Sequence, residues 1–575
     1  MSEKVEKARA GYGIAKSLAE RGIKHVFGIP DGHTLAFYEG MRKVEGIDHI
    51  LMNDERSAAF AADAYARVTG MLGVCDSGAA GSMNFPVALS EAKGSASPVL
   101  AIVGTIKSID MLRNIPHDIN VSDTLSPITK WTEKVLDPEY LPRFLEYGIK
   151  TAINNKPGPT ALVIAEDVIA ARDQKVKYYI PQVAGSCSLN SCRPTAAQSE
   201  IDHAVDMIRN SKQPAFFTGQ GTLISGAYEE IEKLSKILNA PVFSTIDGKG
   251  IMKSDHPNYF GVVGLFGLKN NHKFIRRRSD LLIVVGNRLT EDDTANFKVP
   301  TKATDIIHID IDAADIGLSY DSWGVVGDPK SVLNDLITEL EKEGIYNGDQ
   351  VKILEEREEN LKELREDLNR YWEKDKKKWM NAEPIKPQRI LKAIADNMNE
   401  NDYLVTDASS SSRWIGAYYP IKSKGRKIIT PRGVGPTGFG VGALIGTCIA
   451  ADTYNLSSDK PKKVLFTGDG GLMQAINELE TIKKLNLDCT IVVINNSALG
   501  FVKFGQAMLY RKNYYDTDRP NTDFSKIAEA FGGKGYRIEK LGDLDPTIEK
   551  AIHSEGFTLV DVVIDPYEFL PPSNY

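Results

Sequence analysis

The sequence predicts an α/β protein built from three doubly wound parallel-sheet domains. Three observations carry this. The chain has 575 residues, too many for one core, so about three domains are expected. Short apolar runs rich in β-branched residues alternate with helical stretches along its length, the pattern of strand–helix–strand units and parallel sheets. Two stretches break the alternation: Tyr178 to about Cys192, rich in Pro, Gly and Ser, and Glu355 to Lys378, dense in charge. The expected divisions are 1–180, 190–345, a charged helical linker over 346–382, and 383–575. The first and last regions share size and pattern, which hints at a duplicated architecture.

In the first region, Ala8 to Arg21 reads as an amphipathic helix and His25 to Ile29 as a buried strand. Pro30-Asp31-Gly32 is a turn. Asp54 has the character of an N-cap for a helix from Glu55 to Thr69 that stops at Gly70. Pro98 to Gly104 and Ala161 to Ile164 are further strands. The middle region has strands at Ala215–Thr218, Pro241–Phe243, Leu281–Val285 and Ile306–Ile309. The Glu355–Lys378 stretch is read as a solvated linker helix rather than an interaction surface. In the last region, strands Val464–Phe466 and Thr490–Ile494 flank a helix over Leu472–Ile482.

Bulk numbers exclude several function classes. With 42% hydrophobic and 26% charged residues, the chain has the composition of an ordinary globular protein. A net charge of −7 without a basic block argues against a nucleic-acid partner. No apolar run approaches spanning length, so no membrane partner is expected. Met1 to Lys7 lacks the apolar core of a signal peptide, and a cytoplasmic location is expected. The five cysteines, Cys75, Cys187, Cys192, Cys448 and Cys489, read as reduced thiols.

The chemistry concentrates at two polar clusters. Gly468-Asp469-Gly470 closes one strand and Asn495-Asn496 closes the next. Both are expected at the carboxyl ends of neighbouring strands, where open α/β sheets hold ligands. Magnesium prefers oxygen donors and is held by one or two protein groups plus substrate phosphates. Asp469 offers a carboxylate, Asn496 an amide oxygen and Ala498 a backbone carbonyl. Gly468, Gly470 and Gly471 let backbone approach a phosphate, and the following helix presents free N–H groups. The alternative is a plain strand-to-helix turn.

Glu55 begins a helix whose other positions are small: Ser57, Ala58, Ala59, Ala61, Ala62 and Ala64. It reads either as a first-turn acid favoured by the helix dipole or as a carboxylate bonded to a heterocycle nitrogen in an apolar pocket.

Gly468-Asp469-Gly470 with Asn495-Asn496 resembles the thiamine diphosphate signature, and Asn53 to Arg67 resembles that family's glutamate helix. The likeness spans nearly the whole chain and is nearest to acetolactate synthases and pyruvate oxidases. Gly286-Asn287-Arg288, Ile307 to Asp312 and Gly327-Asp328 resemble that group's middle domain. Thr406-Asp407, Gly438-Phe439-Gly440 and Asp523 to Ala528 resemble its third. The resemblance implies a pyrimidine-binding first domain, a Rossmann-like middle domain and a diphosphate-binding third domain, with the first and third meeting across a dimer.

By similarity, Asp469, Asn496 and the Ala498 carbonyl are magnesium ligands. Glu55 hydrogen-bonds the pyrimidine ring and promotes its imino tautomer. Asn84, Thr437, Gly438, Gly468, Gly470, Gly471, Leu499 and Gly500 complete the expected cofactor contacts. The implied reaction is decarboxylation of a 2-oxo acid such as pyruvate, with transfer of the two-carbon unit to a carbonyl acceptor. An FAD-dependent pyruvate oxidase and a simple decarboxylase are the alternatives. The implied assembly is a homodimer at minimum, or a homotetramer.

Several positions depart from the synthase pattern. Where that group has glutamine, this chain has Pro116-His117-Asp118, which makes His117 either a proton donor or acceptor near the reacting carbon or a surface-loop histidine. Thr437 stands where a bulky apolar residue braces the cofactor. The segment Gly78 to Asn84 has one residue more than usual and lacks its proline, and Leu289 to Asp292 lacks an arginine. FAD is left open. Gly219-Gln220-Gly221 follows a strand, but Gly226 comes too late for a dinucleotide fingerprint, which favours a structural turn. Gly264 to Gly267 lies where synthases contact flavin.

Overall fold

The computed structural model describes residues 4–171, 176–180, 193–342, 348–454 and 460–569. Three six-stranded, all-parallel sheets organise them. The first runs Asp48–Leu51, His25–Gly28, Gly73–Gly78, Val99–Thr105, Thr160–Ala165, Trp131–Val135 in spatial order. The third runs Ile428–Ile429, Tyr403–Thr406, Lys463–Gly468, Cys489–Asn495, Phe557–Val563, Lys534–Ile538. Numbered in chain order within each sheet, both read 2-1-3-4-6-5, so the duplicated architecture is real. The middle sheet reads 3-2-1-4-5-6, from Tyr259–Val262 at one edge to Trp323–Val326 at the other, the order of a dinucleotide-binding fold.

Each sheet is buried on both faces because strand side chains alternate. Leu100, Ile102, Leu162 and Ile164 enter one core of the first domain. Val99, Ala101, Val103, Ala161 and Val163 enter the opposite one, which also receives Leu465, Ile491 and Val493 of the third sheet. One core is therefore shared by two domains. Its centre is the contact between helix Glu55–Thr69 and helix Phe439–Tyr454. The second helix is buried from Phe439 through Ala451 without interruption, as expected of a segment apolar on every side.

Asp54 caps the Glu55 helix by accepting the Ser57 N–H at 3.1 Å, and Gly70 ends it at φ 68°, both as expected from the sequence. Elsewhere the boundaries moved. The first helix is Ala10–Ala19, because Lys4–Ala8 instead forms a strand antiparallel to Val176–Ile180. Tyr178 to Ile180 thus belong to a strand, while residues 181–192, with Cys187 and Cys192, lie outside the described residues. Cys75, Cys448 and Cys489 are free and buried.

The charged stretch is one helix, Gly348–Trp379, but not a solvated one. Leu364, Leu368 and Trp379 are buried, and Arg357 donates to the carbonyls of Ser211, Lys212 and Leu238. Its charge density lies on the other faces.

The two central helices approach so closely that a Cβ at Gly446 would stand 2.0 Å from the Ala61 carbonyl oxygen. Gly446→Val is therefore expected to cost at least about 2 kcal/mol through overpacking, read as a lowered thermal-unfolding midpoint. An unchanged midpoint would mean the helices can separate freely.

Candidate active site

Three helix N-termini converge on a cavity of about 430 Å³ at the carboxyl rim of the third sheet. Ser410–Tyr418 follows strand Tyr403–Thr406, Asp469–Met473 follows Lys463–Gly468, and Gly500–Leu509 follows Cys489–Asn495. Free N–H groups at helix starts favour anions. Neighbouring strands carry the Asp469 and Asn496 clusters, as the parallel pairing of Lys463–Gly468 with Cys489–Asn495 requires. The cavity wall includes Thr437, Gly468, Asp469, Gly470, Gly471, Asn496, Ala498, Leu499 and Gly500, so most of the cofactor-binding set expected from the sequence stands together.

Two of the cradle's glycines are crowded, while Gly468 and Gly470 have room around them. A Cβ at Gly500 would lie 2.5 Å from Asn496 Nδ2, and one at Gly471 2.6 Å from Asp407 Oδ2. Gly438, at φ 91°, does not line the cavity but supports it, donating its N–H to Asp407 at 2.9 Å. Asp407 also accepts from Ala408 and Gly440 at 2.8 and 3.2 Å. Burial pushes its carboxyl up to about 6 against those N–H groups. Burial likewise raises Asp469 to about 6, opposed by the Gly470 N–H, Arg519 and the Ala498 N–H. Ser409 and Ser497 hold positive φ, 72° and 48°, conformations that cost non-glycine residues energy and cluster at functional sites.

One element differs from expectation. The stretch Leu472–Ile482 is not a single helix but Asp469–Met473, a 3₁₀ turn at Ile476–Glu478, and Leu479–Lys484. The break serves interdomain contacts: the Gln474 carbonyl accepts from Arg56 at 2.6 Å, and Glu478 accepts the Asn53 N–H at 3.1 Å.

Glu55 lies elsewhere. It sits at the rim of the first sheet, where Asn84 Nδ2 donates to its Oε2 at 3.0 Å and a Cβ at Gly81 would come within 2.1 Å of its Oε1. Among the described residues, the walls of the third-domain cavity come from residues 266–502, and none from the first domain. His117 is exposed, at φ 70°.

Sequence reasoning missed the residues that fasten the first domain to the third-domain cradle. Glu91 is fully buried. It accepts from Arg67 at 3.0 Å, Ser95 at 2.7 Å, and the N–H groups of Gly433, Val434 and Gly435 at 2.9, 2.8 and 3.1 Å. Burial alone would raise its carboxyl, but Arg67 and those N–H groups hold it below its ordinary value. Ser409, Ser410, Ser411, Arg413 and Arg432 also line the cavity. The run Ser409 to Ser412, following Asp407, was a legible N-terminal signal.

In the middle domain a second cavity, about 310 Å³, lies where the strand order reverses between Pro214–Thr218 and Leu281–Val285. Gly219, Gly221, Gly286, Asn287, Arg288 and Asp310 line it. The glycines are forced by contact, since a Cβ at Gly219 would meet the Gly286 carbonyl oxygen at 2.2 Å. Asn287 Nδ2 is buried without a hydrogen-bond partner. The turn at Gly219–Gly221 thus borders a crevice of the kind that holds nucleotides. Phe266 of the Gly264–Gly267 segment lines the third-domain cavity instead.

The fold and the two rims define a thiamine diphosphate-dependent enzyme. Family models agree: "Thiamine pyrophosphate enzyme, N-terminal TPP binding domain" matches residues 8–124, the central domain 201–336, and the C-terminal TPP binding domain 407–562. A "Probable acetolactate synthase large subunit" from Methanocaldococcus jannaschii is 32% identical over 97% of this chain and 92% of its own length. One from Methanococcus aeolicus is 31% identical over 96% and 91%. The "Acetolactate synthase isozyme 3 large subunit" of Escherichia coli is 26% identical over 97% and 95%. The chain belongs to the thiamine pyrophosphate enzymes, within the acetolactate synthase group.

Removing one partner of a buried, multiply bonded charge typically costs 3–5 kcal/mol. Glu91→Ala is therefore expected to lower stability by about that amount and to weaken thiamine diphosphate binding, because segment 433–435 loses its anchor. Thermal unfolding and a cofactor titration check both effects. Wild-type cofactor affinity in this variant would show that the cradle holds its shape without Glu91.

Proposed function

We propose that the chain condenses two molecules of a 2-oxo acid, pyruvate foremost, into acetolactate, using thiamine diphosphate and Mg²⁺. The observation that carries this is the pairing of an oxygen-donor cradle beneath three helix N-termini with a separate carboxylate rim at Glu55. The donors Asp469, Asn496 and the Ala498 carbonyl suit a hard cation that completes its shell with phosphate and water. Among the described residues no cluster of three His, Cys, Asp or Glu side chains forms an all-protein cage, consistent with a cation held jointly by protein and diphosphate.

Thiamine diphosphate, when bound, supplies the nucleophilic carbon and the electron sink for decarboxylation. The chain's own residues do the rest. Gly470, Gly471, Gly500 and the helix starts at Ser410, Asp469 and Gly500 bind the diphosphate through backbone N–H groups. Glu55 holds a proton at its carboxyl for a pyrimidine ring nitrogen, and Asn84 fixes that carboxyl's orientation. Thr437, Leu499 and Phe501 exclude water from the cavity. His117 acts on the substrate from the first-domain rim.

The two rims come together in a homodimer. Val434, Leu499, Phe501 and Val502 are exposed apolar side chains around the third-domain cavity, while Ile109 and Leu112 are 75% and 93% exposed beyond the first-domain rim. Exposed apolar patches of this kind mark interfaces. In the middle domain, the crevice at Gly219–Gly221 and Asn287 fits the nucleotide part of FAD, with carboxylates such as Asp310 available to ribose hydroxyls. A cytoplasmic location agrees with the absence, among described residues, of a helix long and apolar enough to cross a membrane.

Incubation with pyruvate, Mg²⁺ and thiamine diphosphate is expected to yield acetolactate and carbon dioxide. Glu55→Gln should lower kcat by roughly 10²- to 10⁴-fold, the usual worth of a positioned proton-transfer group, with the cofactor still bound. Acetaldehyde alone, or acetyl phosphate with peroxide, would refute the reading.

Co-expressing Glu55→Gln chains with Asp469→Ala chains tests the shared site. A site spanning two chains leaves one intact site in each mixed dimer, so activity should return well above either variant. No return would place both rims of each site in one chain.

A further inference from the structure

Four neighbouring strands of the first sheet end on one rim. Asp48–Leu51 leads to Glu55, and His25–Gly28 leads to Asp31 and His33. Gly73–Gly78 opens the glycine segment, and Val99–Thr105 is followed by the segment that carries His117. Asp31 and Glu55 press on the same glycine segment from two strands. A Cβ at Gly78 would stand 2.1 Å from Asp31 Cγ, as one at Gly81 would from Glu55 Oε1. The carboxylate of Asp31 is therefore fixed next to the loop that Glu55 and Asn84 share.

Asp31 holds His33 twice. Its Oδ1 accepts the His33 N–H at 2.9 Å and lies 2.7 Å from His33 Nδ1. With Asp31 ionised, that contact assigns the proton to Nδ1 and orients the ring, as carboxylates do for imidazoles. The His33 ring in turn meets the His117 ring edge-on, with centroids 5.3 Å apart at 69°. His117 adopts φ 70°, a conformation that non-glycine residues hold only when their surroundings enforce it. Beneath this trio, fully buried Asp76 binds His49 at 3.1 Å and also Tyr38, and it packs on Gly28. The floor under the Asp31 turn is thus itself pinned.

We propose that Asp31 and His33 are a positioning pair that holds the His117 imidazole over the first-domain half of the thiamine site. There, His117 donates an N–H hydrogen bond to an oxygen of the 2-oxo acid. This rests on the function proposed above and deepens it. Neither Asp31 nor His33 touches the substrate. Both act through His117. The plainer reading makes Asp31 only the cap of the short turn Gly32–Thr34 and His33 a passive neighbour. The two readings differ in how substitutions combine.

The experiment compares kcat, KM for pyruvate and thiamine diphosphate affinity in wild type, Asp31→Asn, His33→Asn, His117→Ala and the double variant His33→Asn/His117→Ala. Asp31→Asn keeps an oxygen that can cap the turn while removing the charge. The expected result is a fall in kcat of roughly tenfold or more for each single variant, with cofactor affinity within about twofold of wild type. The double variant should be no worse than His117→Ala, because residues acting as a unit are non-additive. His117→Gln, which restores an N–H donor, should recover part of the lost kcat. Wild-type kcat in His33→Asn, or losses that multiply in the double variant, overturns the proposal. A wild-type protein that fails to bind thiamine diphosphate overturns the underlying function, and the pair's role with it. Normal binding with multiplicative losses overturns the pair alone.

Discussion

Gly446 faces the carbonyl of Ala61 backbone to backbone, with no room for a Cβ between the two central helices. Most of what matters for function hangs on this contact. Helix Glu55–Thr69 starts at the first-domain rim, and helix Phe439–Tyr454 starts just after the segment that carries Thr437 and Gly438. Because both helices are built from small residues at the contact, they meet at a distance no larger side chain would allow. The rim that carries Glu55 and the third-domain cavity are thereby joined through one shared core.

Charge reinforces what sterics begin. Glu91 reaches from the first domain to three consecutive N–H groups beside the cradle, with Arg67 and Asp63 completing a buried network. Buried charges are tolerated only when paired and hydrogen-bonded, and here the partners run from the Glu55 helix to the segment 433–435 that leads into the cavity wall. Asp407 does the same inside the third domain by gathering the N–H groups of Ala408, Gly438 and Gly440. The cavity is thus shaped by two carboxylates, Asp407 in its wall and Glu91 outside it, that take up backbone donors of the surrounding segments.

Local order was legible wherever it depends on neighbours along the chain. The Asp54 cap and the Gly70 stop follow from side-chain and φ preferences alone. The strand ends at Gly468 and Asn495 follow from apolar runs broken by polar, turn-forming residues, so the third-domain cradle was readable as a cluster. The break at Gln474 was not, because it answers to Arg56 and Asn53, more than 400 residues earlier in the chain. Nor was the packing of Gly348–Trp379, where a few apolar positions and Arg357 outweigh a charged majority.

What the sequence by itself determined is the kind of protein this is: three parallel α/β sheets, with oxygen donors at two adjacent strand ends and one acid at a helix start. These are short-range facts, set by side-chain alternation, capping and backbone freedom. Only the tertiary structure decided which groups face one another. It set Glu55 apart from the cavity that Asp469 lines, brought Asp31 and His33 beside His117, and locked the first domain to the third through Glu91. Those relations depend on contacts between residues tens to hundreds of positions apart, whose energies arise from close packing and burial that no local pattern encodes.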